Sequence, residues 1–300
     1  MDIYNLSDFE SHKYRSTRSD ISVGIKKGSD ESFFIKPMFP NQLINLIIAN
    51  PLFRKCLGED LIPEVGVAIS YNSTPSQYYS ILKEINLHSV YDLPHIGNGM
   101  RCAGGGWGLE CRYMESNIGD INLNAINAER GGLATILFQD SDHHIDNEAY
   151  VKKENKYYYI RLDVDHANMV YAPLIVKVMD LNHTLDYYKF SCNALKILAE
   201  FIAEREIFKQ SILQSLKDIS QIFPDERIHD VYQGLEGFKA RYDTSDYYLP
   251  IELGGNEDFG ALVLSNFDLI FDIVQNKLTE INANHSFMLG GVICNPQEEL

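Results

Sequence analysis

The chain has 300 residues, 45% of them hydrophobic, and a formal net charge of −16, enough apolar content to bury one large core or two lobes. That charge excludes general nucleic-acid binding and disfavours peripheral attachment to anionic lipid, since both need a basic surface and no Lys/Arg run exceeds a pair. No apolar run reaches the roughly 18 residues of a membrane span, the amino-terminal stretch 1–10 reads as no signal peptide, and Cys56, Cys102, Cys111, Cys192 and Cys294 form neither a disulfide framework nor a metal knuckle, so a reducing cytosol is the expected compartment.

In chain order, Ser22-Val-Gly-Ile-Lys-Lys-Gly-Ser29 reads as a first strand and turn, and Ser32-Phe-Phe-Ile-Lys-Pro37 as a second, half-buried strand that ends in a lysine. A lysine in that setting must find an anion. Residues 41–50 read as a helix that contains no acid, and residues 57–64 as a loop punctuated by Gly58 and Pro63. Val65-Gly-Val-Ala-Ile-Ser70 is a strand, and 77–84 a strand or a short helix. Residues 97–108, with three adjacent glycines, read as a long turn rather than a phosphate cradle, because no Lys-Ser/Thr follows and no helix opens after them; residues 109–115 read as the next strand. Beyond Asn117 the character turns helical: a helix over 120–129 and 133–138, interrupted at Gly131-Gly132, then helices over 191–204 (Leu195, Leu198, Ala199 and Ile202 on one side), 208–222, 227–241 and 259–282.

The stretch Phe138-Gln-Asp-Ser-Asp-His-His-Ile-Asp-Asn147, followed by Tyr159-Ile-Arg-Leu-Asp-Val-Asp-His-Ala167, carries the most information. Asp142 precedes Asn147 by five residues, and Asp163 closes an apolar run. Between them two β-prone segments flank the polar turn Lys153-Glu-Asn-Lys156, a hairpin that folds Asp163 back beside Asn147. A carboxylate and an amide oxygen then face one site for a hard cation, with Asp142 left to receive a proton. Phosphoryl transfer needs such an arrangement, because it consists mostly of positioning a hydroxyl and neutralising phosphate charge.

The order Lys36, Asp142, Asn147, Asp163 resembles that of outlying protein-kinase-like enzymes: HipA-type kinases, type II phosphatidylinositol 4-kinases and bacterial effector kinases. Phe34-Ile-Lys-Pro37, Asp142-x-His144-x-x-Asn147 and Leu162-Asp-Val-Asp-His-Ala167 carry the likeness. The resemblance implies that Lys36 holds nucleotide phosphates, that Gly24 or Gly28 lets backbone amides approach them, that Asp142 is the catalytic base with His144 bracing its loop, that Asn147 and Asp163 bind the metal, and that residues 110–115, ending in Glu115, approach the adenine hinge. It implies no role for Asp165 or His166. One departure stands out: such enzymes pair the lysine with a helix Glu, and the 41–50 helix has none. Glu59, Asp60, Glu64, Gln42 or Asn45 would have to substitute, which leaves a pseudokinase open.

The expected fold is α+β, a two-lobed kinase-like body with a strand-rich N-lobe over residues 1–116 and a mainly helical C-lobe over 117–300 that ends in a helical C-terminal extension. The expected function is an ATP-dependent kinase using ATP with Mg²⁺ or Mn²⁺ on a protein hydroxyl, or else on a phosphoinositide; transfer of AMP stays open. A metal-dependent hydrolase built from Asp140, Asp142, His143, His144, Asp146, Asp163, Asp165 and His166, and an interaction module on a degenerate kinase fold, are the alternatives. The end Gln297-Glu-Glu-Leu300 is similar to translocation signals of secreted effectors, which would direct the protein to a host cell's cytosol and a host target.

Overall fold

The computed structural model describes residues 1–13, 21–72, 76–88, 125–138, 140, 149–165, 167, 192–224, 256–283, 287–289 and 292–294. The architecture is α+β: strands dominate the N-terminal part and helices the C-terminal part. Six strands, β1 (Ile3–Asn5), β2 (Phe9–Lys13), β3 (Ser22–Lys26), β4 (Ser32–Met38), β5 (Gly66–Ser70) and β6 (Gln77–Lys83), form one sheet in the order β1-β5-β6-β4-β3-β2. β1 runs parallel to β5, and all other neighbours pair antiparallel.

β4 sits at the centre because its side chains alternate cleanly. Phe33 and Ile35 bury into a small cluster with Phe9, Ala68 and Ile81, while Met38, of the same parity as Lys36, joins the main core on the other face. The period of two therefore delivers the Lys36 ammonium to the side of the sheet that packs on the helical part. Pro37 falls beyond the last β3 partner, Ile35, where β4 keeps only β6 as a neighbour and a missing amide costs least.

Helix α1 (Pro40–Leu57) begins with proline at its first turn and is buried nearly all round, from Leu43 through Leu57, as expected of a helix that is apolar on every face. Pro51 stands inside it and cannot donate to the Ile47 carbonyl one turn back. Ser215 Oγ donates to that carbonyl at 2.8 Å instead. Gly58, at φ 125°, ends the helix in a conformation that side chains avoid.

The second sheet has the order β7-β9-β8, from β7 (Ala125–Ile126), β8 (Ala149–Lys153) and β9 (Lys156–Ile160). The expected hairpin is present: Ala149 pairs with Ile160 and Lys153 with Lys156, and Glu154 and Asn155 both take positive φ, as a tight two-residue turn requires. Two expectations are corrected here. Ala125 and Ile126 are strand, paired in parallel with Tyr157 and Tyr158, because Asn127, at φ 67°, breaks the path into the following helix and donates to the Leu57 carbonyl. That helix, α2 (Ala128–Leu137), runs unbroken through Gly131-Gly132. Gly131 is small because the Tyr159 ring lies against it, 2.2 Å from where a Cβ would stand.

Helices α3 (Cys192–Ala203), α4 (Arg205–Ile222) and α5 (Asn256–Ala283) follow, and β10 (Phe287–Leu289) pairs with β11 (Val292–Cys294). Phe201, Phe208, Ile212, Phe267 and Phe271 interlock α3, α4 and α5 with α1 and α2 in one core. Among the described residues no helix is long and apolar enough to cross a membrane. The expected seam near residue 117 and the expected helix over 227–241 lie outside the described residues.

Candidate functional site

Three charged side chains converge where the sheet meets the helical part. Lys36 Nζ donates to Asp163 Oδ1 at 2.8 Å, to Asp163 Oδ2 at 3.0 Å and to Asp165 Oδ2 at 3.2 Å. The lysine comes from β4, and both carboxylates come from the segment after β9, more than 120 residues away in sequence. Val164, fully buried between the two aspartates, pins that segment into the core. The Asp163 side chain is 38% exposed and the Asp165 side chain 2%.

The electrostatics follow from this geometry. Burial works to lower the Lys36 ammonium, but the charges of Asp163 and Asp165 and their hydrogen bonds outweigh it and hold the group above the ordinary lysine value. Burial likewise works to raise the Asp163 carboxyl. The charge and hydrogen bonds of Lys36 and the nearby Arg161 charge together hold it below the ordinary aspartate value. Asp163 is held as an anion against the Lys36 ammonium.

Two further contacts fix the frame. Arg161 Nη2 and Nε reach Asp140 Oδ2 at 2.6 and 2.8 Å, with both side chains fully buried, and Asp140 forms an isolated bridge with Ala167. The segment entering the 141–148 stretch is thereby tied to the segment that carries Asp163. On the other side Asn45 Nδ2 of α1 donates to the Asp165 carbonyl at 3.0 Å.

The substitutes expected for a helix acid do other work. Glu59 pairs with Lys55, Asp60 with Lys153 at 2.7 Å, and Glu64 with the terminal amine of Met1 at 3.2 Å and Arg54 at 3.6 Å. Gln42 accepts from the Phe39 amide at the start of α1. Among the described residues, the acids that meet Lys36 are Asp163 and Asp165.

The glycines stand away from the lysine. Ser22–Lys26 is the third strand rather than the first. Gly24 is buried within it, and a Cβ there would fall 2.4 Å from Ile35 Cδ1, so packing explains its size. Gly28, at φ 79°, makes the turn between β3 and β4. The register places Ser22 opposite Ile35 and Ile25 opposite Ser32, so this turn lies at the strand end remote from Lys36, about 13 Å along β4 at ~3.3 Å per residue. Asp142, His144, Asn147, His166 and Glu115 lie outside the described residues.

Asn45, named with Gln42 as an uncharged substitute for the helix acid, reaches the Asp165 carbonyl rather than the lysine, while Asp165, Arg161 and Asp140 have no assigned place in the kinase reading of the sequence. The signal for one of them was there: Arg161 interrupts an apolar strand, and an arginine at a core position demands a buried anion.

The fold and site define an α+β protein with a lysine and two carboxylates clustered between its sheet and its helical body. No protein-family model matches the chain, and no curated protein matches its sequence. Among solved structures, a Helicobacter pylori proinflammatory kinase, CtkA, is similar over 93% of this chain and 98% of that one, with 12% sequence identity and a TM-score of 0.43.

Proposed function

We propose that the protein is an ATP-dependent kinase-like phosphotransferase. The observation that carries this reading is the Lys36–Asp163 pair: a cation suited to phosphate oxygens is held beside a partly exposed carboxylate suited to a hard metal ion. Asp163 and the amide oxygen of Asn147 are hard oxygen donors, the chemistry that Mg²⁺ or Mn²⁺ prefers. The bound metal would neutralise charge on the nucleotide phosphates. Lys36 binds and orients those phosphates, and Asp142 accepts the proton of the acceptor hydroxyl. A protein hydroxyl is the preferred acceptor and a phosphoinositide head group the next.

A hydrolase with metal ions on both Asp163 and Asp165 is less well supported, because the Asp165 carboxylate is sealed from solvent against the Lys36 ammonium. The test is incubation with Mg²⁺ or Mn²⁺ and ATP labelled separately at the α and γ positions, with protein and phosphoinositide acceptors, for wild type and Asp163→Ala. Transferred γ label that is lost in the variant is the expected result. Transferred α label would mean AMP transfer, and absence of both nucleotide binding and label would overturn the proposal.

A further inference from the structure

We propose that Asp165 is the positioning residue for Lys36: it supplies from the loop after β9 the acid that α1 lacks, and Asn45 couples α1 to that anchor. The inference rests on the reading of Lys36 as the phosphate-binding lysine, although its geometry stands independently. No aspartate or glutamate occurs in Pro40–Leu57, so no side chain of that helix can neutralise the lysine.

The two carboxylates that do so differ in one respect that decides their roles. Asp163 is partly exposed, and Asp165 is sealed in. An incoming cation can therefore draw Asp163 away, but Asp165 has nowhere to go: its neighbour Val164 is fully buried and its own carbonyl is held by the buried Asn45. A buried carboxylate is costly unless it is paired, so Asp165 retains Lys36 as strongly as Lys36 stabilises Asp165.

The donor arithmetic then fits a phosphate site. An ammonium has three N–H donors. In this structure they serve Asp163 twice and Asp165 once. Release of Asp163 would free donors for phosphate oxygens while Asp165 keeps the ammonium in place. Asp165 touches neither substrate nor reacting atoms in this scheme; it acts through Lys36.

The experiment measures acylation of Lys36 in the full chain by an acetyl succinimidyl ester at fixed pH, read at the peptide by mass spectrometry. Lys209, another partly buried ion-paired lysine, on α4, is the internal control for general loosening. In an Asp163→Asn background without metal, Lys36 should remain protected. Adding Asp165→Asn should raise its acylation about tenfold, the scale of one lost charge-assisted hydrogen bond, with Lys209 unchanged. Should the double variant fail to fold by circular dichroism, Asn45→Ala in the same background should give a smaller, Lys36-specific increase. Unchanged Lys36 acylation in the folded double variant, or in the Asn45→Ala variant where that one is used, or an equal rise at Lys209, overturns the proposal. A parallel series of the single Asp165→Asn variant with Mg²⁺ or Mn²⁺ reads the metal assignment separately: metal should deprotect Lys36 there and not in wild type. A metal-independent rate with the anchor effect intact would support the Asp165 role and count against the metal reading alone.

Discussion

Arg161 and Asp140 form a fully buried ion pair, 2.6 Å from Nη2 to Oδ2, and each lies two residues upstream of a carboxylate proposed for catalysis or metal binding, Asp163 and Asp142. The pair fixes the relative height of the two chain segments at Asp140 and Arg161. Val164 and the Asp140–Ala167 bridge extend the same clamp.

Removing one partner strands the other charge in the core. Arg161→Met and Asp140→Leu should each cost about 3–5 kcal/mol, measured by urea denaturation. The double variant should cost clearly less than the sum, because it strands no charge. Additive losses would show that the two groups do not act as a pair.

Lys36→Met, the obvious loss-of-function variant, should also destabilise the fold. It removes the ammonium that Asp163 and the 2% exposed Asp165 share, and breaking a buried ion pair costs up to about 3–5 kcal/mol. Lys36→Met combined with Asp165→Asn should recover much of the stability and none of the transfer activity. Thermal unfolding and γ-label transfer on the same samples separate the two effects.

The sequence was most legible where period and turn chemistry agree. The β4 strand with Lys36, the hairpin around Glu154-Asn155 and helices α3 and α5 stand close to where their patterns put them. Of the candidate site, the sequence singled out Lys36 and Asp163 separately, and the fold brings those two side chains into contact. What the sequence leaves illegible has one cause, that a glycine or a loop acid carries no label for its tertiary partner. Gly24 makes room for Ile35, and Gly131 for Tyr159, neither of which is near in sequence. Asp165 meets Lys36 across 129 positions, a contact that no local pattern announces.

The seam between α4 and α5 should be acid-sensitive. Asp268 receives Arg205 at 2.8 Å and Lys209 at 2.9 Å. Burial works to raise its carboxyl, but those hydrogen bonds and charges outweigh it and hold it below the ordinary aspartate value. A carboxyl depressed in the folded state adds stability above its unfolded value, about 3.9, and that stability is lost as pH falls through the folded value. Asp268→Asn should therefore cost less than about 1 kcal/mol per pair at neutral pH, since the pairs are partly solvated. The difference in urea midpoint from wild type should narrow as pH drops below about 4. A difference constant from neutral to acid pH would refute the linkage.

Pro51 and Ser215 make a compensated defect in the centre of the molecule. Pro51 has no amide to offer the Ile47 carbonyl, and Ser215, itself 2% exposed, donates its hydroxyl there at 2.8 Å. Ser215→Ala should leave a buried carbonyl unsatisfied at a cost of about 1–3 kcal/mol. Pro51→Ala restores the missing N–H and relieves the clash of the proline ring with that turn, so in its background Ser215→Ala should cost much less. The coupling between the two positions, read from the four denaturation curves of a double-mutant cycle, should be at least about 1 kcal/mol. A coupling near zero would mean that the hydroxyl contributes packing rather than the hydrogen bond α1 lacks, and α1, which holds both Asn45 and the core against Lys36, would then tolerate its proline by bending instead.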